Sequence, residues 1–219
     1  MQKIKKALII SIVAALFIVL WVIHYDSKKM LVFRDNLDKT VVTVDGKELS
    51  LKEIAFYIAY EETTIEEQAY IYDPEDTNSY WNLHIDGQFI RVAGKQAALD
   101  MAIHDQIFCE LARKEGLELS EEDKKVLNNK EMDFWSDLSD EQKENLGVSE
   151  EQIMETMTQV ALAEKYQNFL AEQSGNDSYD SYSISGEEYE KILKEHSFKV
   201  KEKVWDKINF GNIVVDHKK

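Results

Sequence analysis

Residues 96–123 read QAALDMAIHDQIFCELARKEGLELSEED, and this stretch decides the fold class. Carried back to Gln88, it places Ile90, Ala93, Ala97, Met101, His104, Phe108 and Leu111 at three- and four-residue spacing, the period of one helix face. Phe89, Val92, Leu99, Ile103 and Ile107 make a second stripe. The spacing therefore predicts a helix over 88–115 that is apolar around much of its circumference and central to a core. Gly116 is placed to stop it. Ser120, three residues before Asp123, has capping-box spacing and opens the next helix. The same signal recurs at Ser139/Gln142, Ser149/Gln152 and Ser185/Glu188, so four caps mark four helix starts. The third opens a long helix over about 150–172, carrying Ile153, Met157, Val160, Ala161 and Phe169.

Composition agrees with a mainly helical chain. Its 219 residues include eight Gly and one Pro, too few turn formers for a turn-dense β sandwich. A hydrophobic content of 44% with 11% aromatics supports a packed core and excludes full disorder. Cys109 stands alone, which excludes an internal disulfide framework and any cysteine-cluster metal site. The net charge is −16; residues 1–29 hold five Lys against one Asp, so residues 30–219 carry −20. Such an acidic body argues against nucleic-acid binding, which needs basic residues to displace phosphate counterions.

Toward the N-terminus, residues 41–58 read VVTVDGKELSLKEIAFYI. A β-branched run followed by Asp45-Gly46 predicts a hairpin, and Ser50 with Glu53 predicts a helix from Leu51. Leu51, Ile54, Ala55, Ile58, Ile65 and Ala69 share one side of that helix, which should end before Pro74. The stretch 73–87 reads as a loop. On the other side, residues 174–183 (SGNDSYDSYS) read as a polar low-complexity linker. A short helix is expected over 186–196, with strand-like pieces at 199–204 and 213–215.

Residues 7–23 are 17 consecutive residues of which only Ser11 is not apolar, preceded by Lys3, Lys5 and Lys6. As a helix they span roughly 26 Å, a little short of a hydrocarbon core of roughly 30 Å, and Trp21, His24 and Tyr25 extend the run into the interface. A cleavable signal peptide would share the basic start, and Val13-Ala14-Ala15 resembles a cleavage site. The apolar run continues through Leu16–Ile23 with no small-residue site after it, which favours an uncleaved signal anchor. The resulting division is 1–29 signal-anchor or transmembrane segment, 30–40 stalk, 41–173 helical domain, 174–184 linker, and 185–219 short helix and strand-like tail.

This order of elements resembles the N-terminal domain of SurA/PrsA-type foldases. The similarity lies in the strand, Asp-Gly, strand and capped helix of 41–58, and in the long helix, Gly break and Ser-capped helix of 96–123. It continues in LGVSEEQIMETMTQVALAEKYQNFL (146–170) and ISGEEYEKILKEHSFKVKEKV (184–204). The resemblance implies a mainly α protein: an N-terminal transmembrane helix, a short β-hairpin, then a helical SurA N-terminal-like chaperone domain. In that family a parvulin prolyl-isomerase domain of roughly 90 residues would follow, yet only 23 residues lie beyond His196. The resemblance thus implies chaperone-type binding of unfolded or secreted polypeptides without the isomerase, and the isomerase label survives only as a family name.

The candidate client-binding residues are Phe56, Tyr57 and Tyr60 on the first helix, with Tyr70 and Tyr72 beyond, and Met154 and Met157 on the long C-terminal helix. Aromatic and methionine side chains make adaptable apolar surfaces; core filling is the favoured reading of the same residues. Asp100 and His104 share a helix face, the spacing of a metal pair, but Cys109 falls off it, and a buried, hydrogen-bonded histidine is the favoured reading. Cys109 reads as a structural thiol, lacking an oriented base. The pairs Glu61-Glu62, Glu66-Glu67 and Glu150-Glu151, and the run Glu121-Glu122-Asp123, read as solvated helix faces and dipole partners. No catalytic, cofactor-binding or metal-ligating residue is assigned. The expected partners are unfolded or secreted polypeptides, or else one envelope protein for which the domain is a scaffold. Three Lys before the apolar run, against Lys28 and Lys29 after it, place the acidic body outside the cytoplasm. External protease applied to intact cells, with any outer layer permeabilised, is expected to remove residues 30–219; protection until the inner membrane is lysed would contradict that topology.

Overall fold

A computed structural model describes residues 29–175 and 178–217. The expected anchor at 7–23 lies outside the described residues, and among those described no helix is long and apolar enough to cross a membrane. The described chain is mainly helical with a few short strands. Strands β1 (Thr40–Val44) and β2 (Lys47–Ser50) form the expected hairpin, with Asp45 and Gly46 both at positive φ. A third strand, β5 (Phe198–Val200), pairs antiparallel with the other edge of β1, Val42 opposite Val200, so β1 is central and Val41, Val42 and Val44 are all buried. Asp45 fixes this closure. It pairs with His196 Nδ1 (2.5 Å) and accepts hydrogen bonds from Ser197 N (2.8 Å) and Ser197 Oγ (3.1 Å), contacts that hold its carboxyl below the usual range.

Helix α1 (Ala55–Tyr72) starts four residues later than Leu51, after turns. Glu53 bonds the Ser50 N–H (2.7 Å) and hydroxyl (2.9 Å), so the carboxylate half of the box forms while Ser50 is itself the last residue of β2. The stretch expected as a loop holds α2 (Thr77–Trp81) and a second hairpin, β3 (His84–Ile85) with β4 (Gln88–Phe89), turning at Asp86-Gly87. Hence α3 is Ile90–Lys114, two residues shorter at its start than the spacing predicted. Helices α4 (Glu121–Asp137), α5 (Asp140–Leu146) and α6 (Glu150–Ser174) each begin at the expected serine, and all three reciprocal capping boxes are formed. The fourth is not: α7 (Glu187–Leu193) is capped by Gly186 and has no side-chain cap bond. A Cβ at Gly186 would lie 2.1 Å from the Ser181 carbonyl oxygen, so close backbone approach selects the residue there. The run expected as a strand over 199–204 divides into β5 and α8 (Glu202–Trp205).

Two segments expected to be loose are packed. In the expected stalk, Leu31 donates its N–H to the Lys207 carbonyl (2.8 Å) and Phe33 is buried. In the expected linker, a 3₁₀ turn at Tyr179–Tyr182 buries Tyr182. Aromatic side chains, too sparse to register in a polar composition, supply the burial in both.

Residues 213–215 form no strand, and the amides of Ile213 and Val214 go to a side chain instead. Glu62, read from sequence as part of a solvated face, is fully buried at the middle of α1. It accepts three backbone N–H bonds, from Gly211 (2.6 Å), Ile213 (3.1 Å) and Val214 (2.7 Å). Ile208, Phe210, Ile213 and Val214 are buried around this clasp, and Trp81 stands against Phe210. Gly211 has φ +84°, and a Cβ on it would meet the Trp81 ring at 2.8 Å, so both conformation and space demand glycine.

Burial pushes Glu62 up to about 7, against the downward pull of the backbone amides of residues 211–214. The folded state therefore binds a proton more tightly than the unfolded chain between pH 4.5 and about 7. Stability contributed by Glu62 is present below that window and is lost as pH rises through it, by about 3 kcal/mol at 1.36 kcal/mol per unit. Urea midpoints are expected to fall from pH 5 to pH 8 in the native chain. Glu62→Gln should flatten that slope and destabilise by about 1–3 kcal/mol, since an amide cannot accept at both ends. A parallel slope in both chains would contradict this origin.

Candidate functional site

Helices α3 and α6 pack against each other, and α1 crosses α3 where Gly94 gives room: a Cβ there would lie 2.3 Å from Ile65 Cδ1. Toward the N-terminal end of α1 the helices diverge. A groove of about 760 Å³ opens between α1, α3, α4, α6 and residues 179–185. Of the five client-binding candidates, the structure brings four together here: Phe56, Tyr57, Tyr60 and Met157. Met154 is half-buried and does not line it. Phe56, Tyr57 and Met157 are buried members of the core that show one side to the groove, while Tyr60, 46% exposed, stands at the rim. Sequence reasoning missed Phe134 of α4, whose ring centroid is 5.0 Å from that of Phe56, along with Met101, Leu127, Val160 and Tyr179. The apolar residues of α4 and the two tyrosines inside the polar SGNDSYDSYS stretch were the available signals.

The floor is fixed by a polar relay. The Tyr57 hydroxyl bonds Asp105, Asp105 Oδ1 lies 2.8 Å from His104 Nδ1, and His104 Nε2 lies 3.0 Å from the Tyr182 carbonyl. A carbonyl only accepts, so Nε2 carries a proton. A single further proton lies between Nδ1 and Oδ1, and wherever it rests the ring has no free lone pair. His104 is thus the buried, hydrogen-bonded histidine expected, but its acidic partner is Asp105; Asp100 instead accepts from Gln96 Nε2 (2.8 Å). Burial raises the pKa of Asp105, opposed by the His104 bond, and burial followed by the Asp105 charge pushes the Tyr57 phenol well above its usual value. Cys109 is buried, and burial raises its thiol. Among the described residues no three His, Cys, Asp or Glu side chains are grouped to hold a metal.

The 3₁₀ turn is pinned at both ends: Gln167 Nε2 of α6 donates to the Tyr179 carbonyl (2.9 Å) and His104 of α3 to that of Tyr182. Helix α4, the opposite wall, is tethered to α6 by Lys165–Asp123 (2.5 Å) and Lys130–Glu164 (3.6 Å), and the former bond, with Ser120, brings Asp123 down to about 2. The groove therefore has a rigid floor and one wall, α4, that buries only Leu127 and Glu131. Such an arrangement leaves room for apolar side chains, and both ring nitrogens of His104 are engaged by protein partners.

No family model, curated protein or solved structure matches this chain. His104→Phe keeps the ring packing on Phe108 and Tyr189 while leaving Asp105 and the Tyr182 carbonyl without their shared partner. It is expected to destabilise by about 2–5 kcal/mol in urea unfolding and to speed proteolysis within 174–185. Unchanged stability and cleavage would show that the relay does not hold the turn.

Proposed function

We propose that this protein is a membrane-anchored, extracytoplasmic, non-catalytic chaperone that holds unfolded or secreted polypeptides in the α1–α3–α4–α6 groove. The supporting observation is the groove itself. Four of the five residues chosen for adaptable apolar surface line it, with Phe134, Met101 and Tyr179 added, and it stays open to solvent on the Tyr60 side. Binding of this kind is burial of a client's apolar side chains, about 25 cal/mol for each Å² removed from water, with the acidic body keeping the complex soluble. The resemblance to the SurA/PrsA-type N-terminal domain points the same way, and the isomerase label rests on that resemblance alone.

A second reading, a scaffold docked on one envelope partner, draws on a different surface. Tyr70, Tyr72 and the 83%-exposed Ile71 crowd the far end of α1, beside a second groove of about 710 Å³ against Val214 and Val215. Light scattering of an aggregating client separates the two. The full-length chain in a zwitterionic nanodisc is expected to suppress aggregation at several-fold excess, and Tyr60→Ser with Phe134→Ser to lose most of that effect. Undiminished aggregation with the native chain would contradict the chaperone reading.

A further inference from the structure

Resting on the reading of the groove as a polypeptide site, we propose that its preferred occupant is a basic-apolar segment, with Lys or Arg side chains set among aromatic or aliphatic ones. Phe56 stacks on Tyr60 (centroids 5.9 Å apart) and tilts against Phe134 (5.0 Å), a cluster whose ring faces are electron-rich. The preceding residue on α4, the exposed Asp133, also lines the groove, and its carboxylate makes no hydrogen bond or ion pair with another described residue. The cation of the lining, Lys130, is already paired with Glu164, and Asp105 is satisfied by His104 and Tyr57.

An apolar segment laid over this cluster takes Asp133 out of water with nothing to replace the lost hydration. An acidic segment adds repulsion. A lysine or arginine answers the carboxylate and the ring faces together, and the −20 carried by residues 30–219 raises the local concentration of such a segment.

The test uses three labelled peptides of one length and one apolar pattern, differing only in whether the intervening residues are Lys/Arg, Gln or Glu. Binding to the full-length chain in a zwitterionic nanodisc is read by anisotropy. The basic peptide is expected to bind about tenfold tighter than the neutral one, with the ratio shrinking as salt rises from about 0.05 M to about 0.5 M. Asp133→Asn should cut the ratio by about threefold or more and leave neutral-peptide affinity undiminished. Glu75→Gln, an equal charge change beyond the other end of α1, should not alter it. Equal binding of basic and neutral peptides would overturn the selectivity and leave the polypeptide site standing, as would equal effects of the two substitutions. Failure of all three peptides to bind would remove the site and the selectivity with it.

Discussion

The Glu62 carboxylate, buried in the middle of α1 and accepting the amides of Gly211, Ile213 and Val214, is the contact on which the rest of the molecule closes. A buried ionisable group is expensive unless its lone pairs are filled, and here backbone donors 149 to 152 residues away fill them. The C-terminal segment covers one side of α1 as a result, seats Phe210 against Trp81, and leaves the N-terminal half of the same helix to face α3 and α4. A helix covered from several directions cannot be amphipathic in the simple sense; one acidic residue pointing inward is the sign of it.

The groove follows from that closure. Fixing α1 on its tail side and crossing it over α3 at Gly94 sets the angle at which α1, α3 and α6 part. The Tyr57–Asp105–His104–Tyr182 chain then makes the floor stiff, while α4 rests on the core through Leu127 and Phe134 and is tied to α6 by two ion pairs. Exposed pairs of this sort contribute little stability each, about 0–1 kcal/mol. The wall is the more exposed side of the site, burying less of itself than the floor does. On the proposed reading, affinity would come from area and adaptability, and direction from the charge at Asp133.

Local signals in the sequence read through to structure wherever local physics decides the outcome. Ser120, Ser139 and Ser149 form their boxes because each precedes a helix and a bonding side chain at the third position. Asp45-Gly46 makes its hairpin for the same reason. Ser185 does not cap because α7 starts one residue later than its spacing asks, behind Gly186, where the Ser181 carbonyl five residues back leaves no room for a Cβ. Asp86-Gly87 carries the same dipeptide signal as the first hairpin, but strands of two residues each are too short to show an alternating pattern. Glu62 was hidden by its neighbour: in a Glu61-Glu62 pair nothing local says which carboxylate turns inward. Phe56, Tyr57, Tyr60 and Met157 were legible as apolar surface, whereas the residues that complete the groove come from α4 and the 179–185 segment, whose positions only tertiary packing reveals.

Whether the groove is where polypeptide sits can be read directly by placing a photoreactive phenylalanine analogue at Tyr60 or at Tyr72 in the full-length chain and irradiating it with an unfolded client. Tyr60 stands on the groove rim and Tyr72 at the far end of α1, both well exposed. Cross-linking from position 60, with little from position 72, is the predicted result. Cross-linking from position 72 with none from position 60 would contradict a groove-held client.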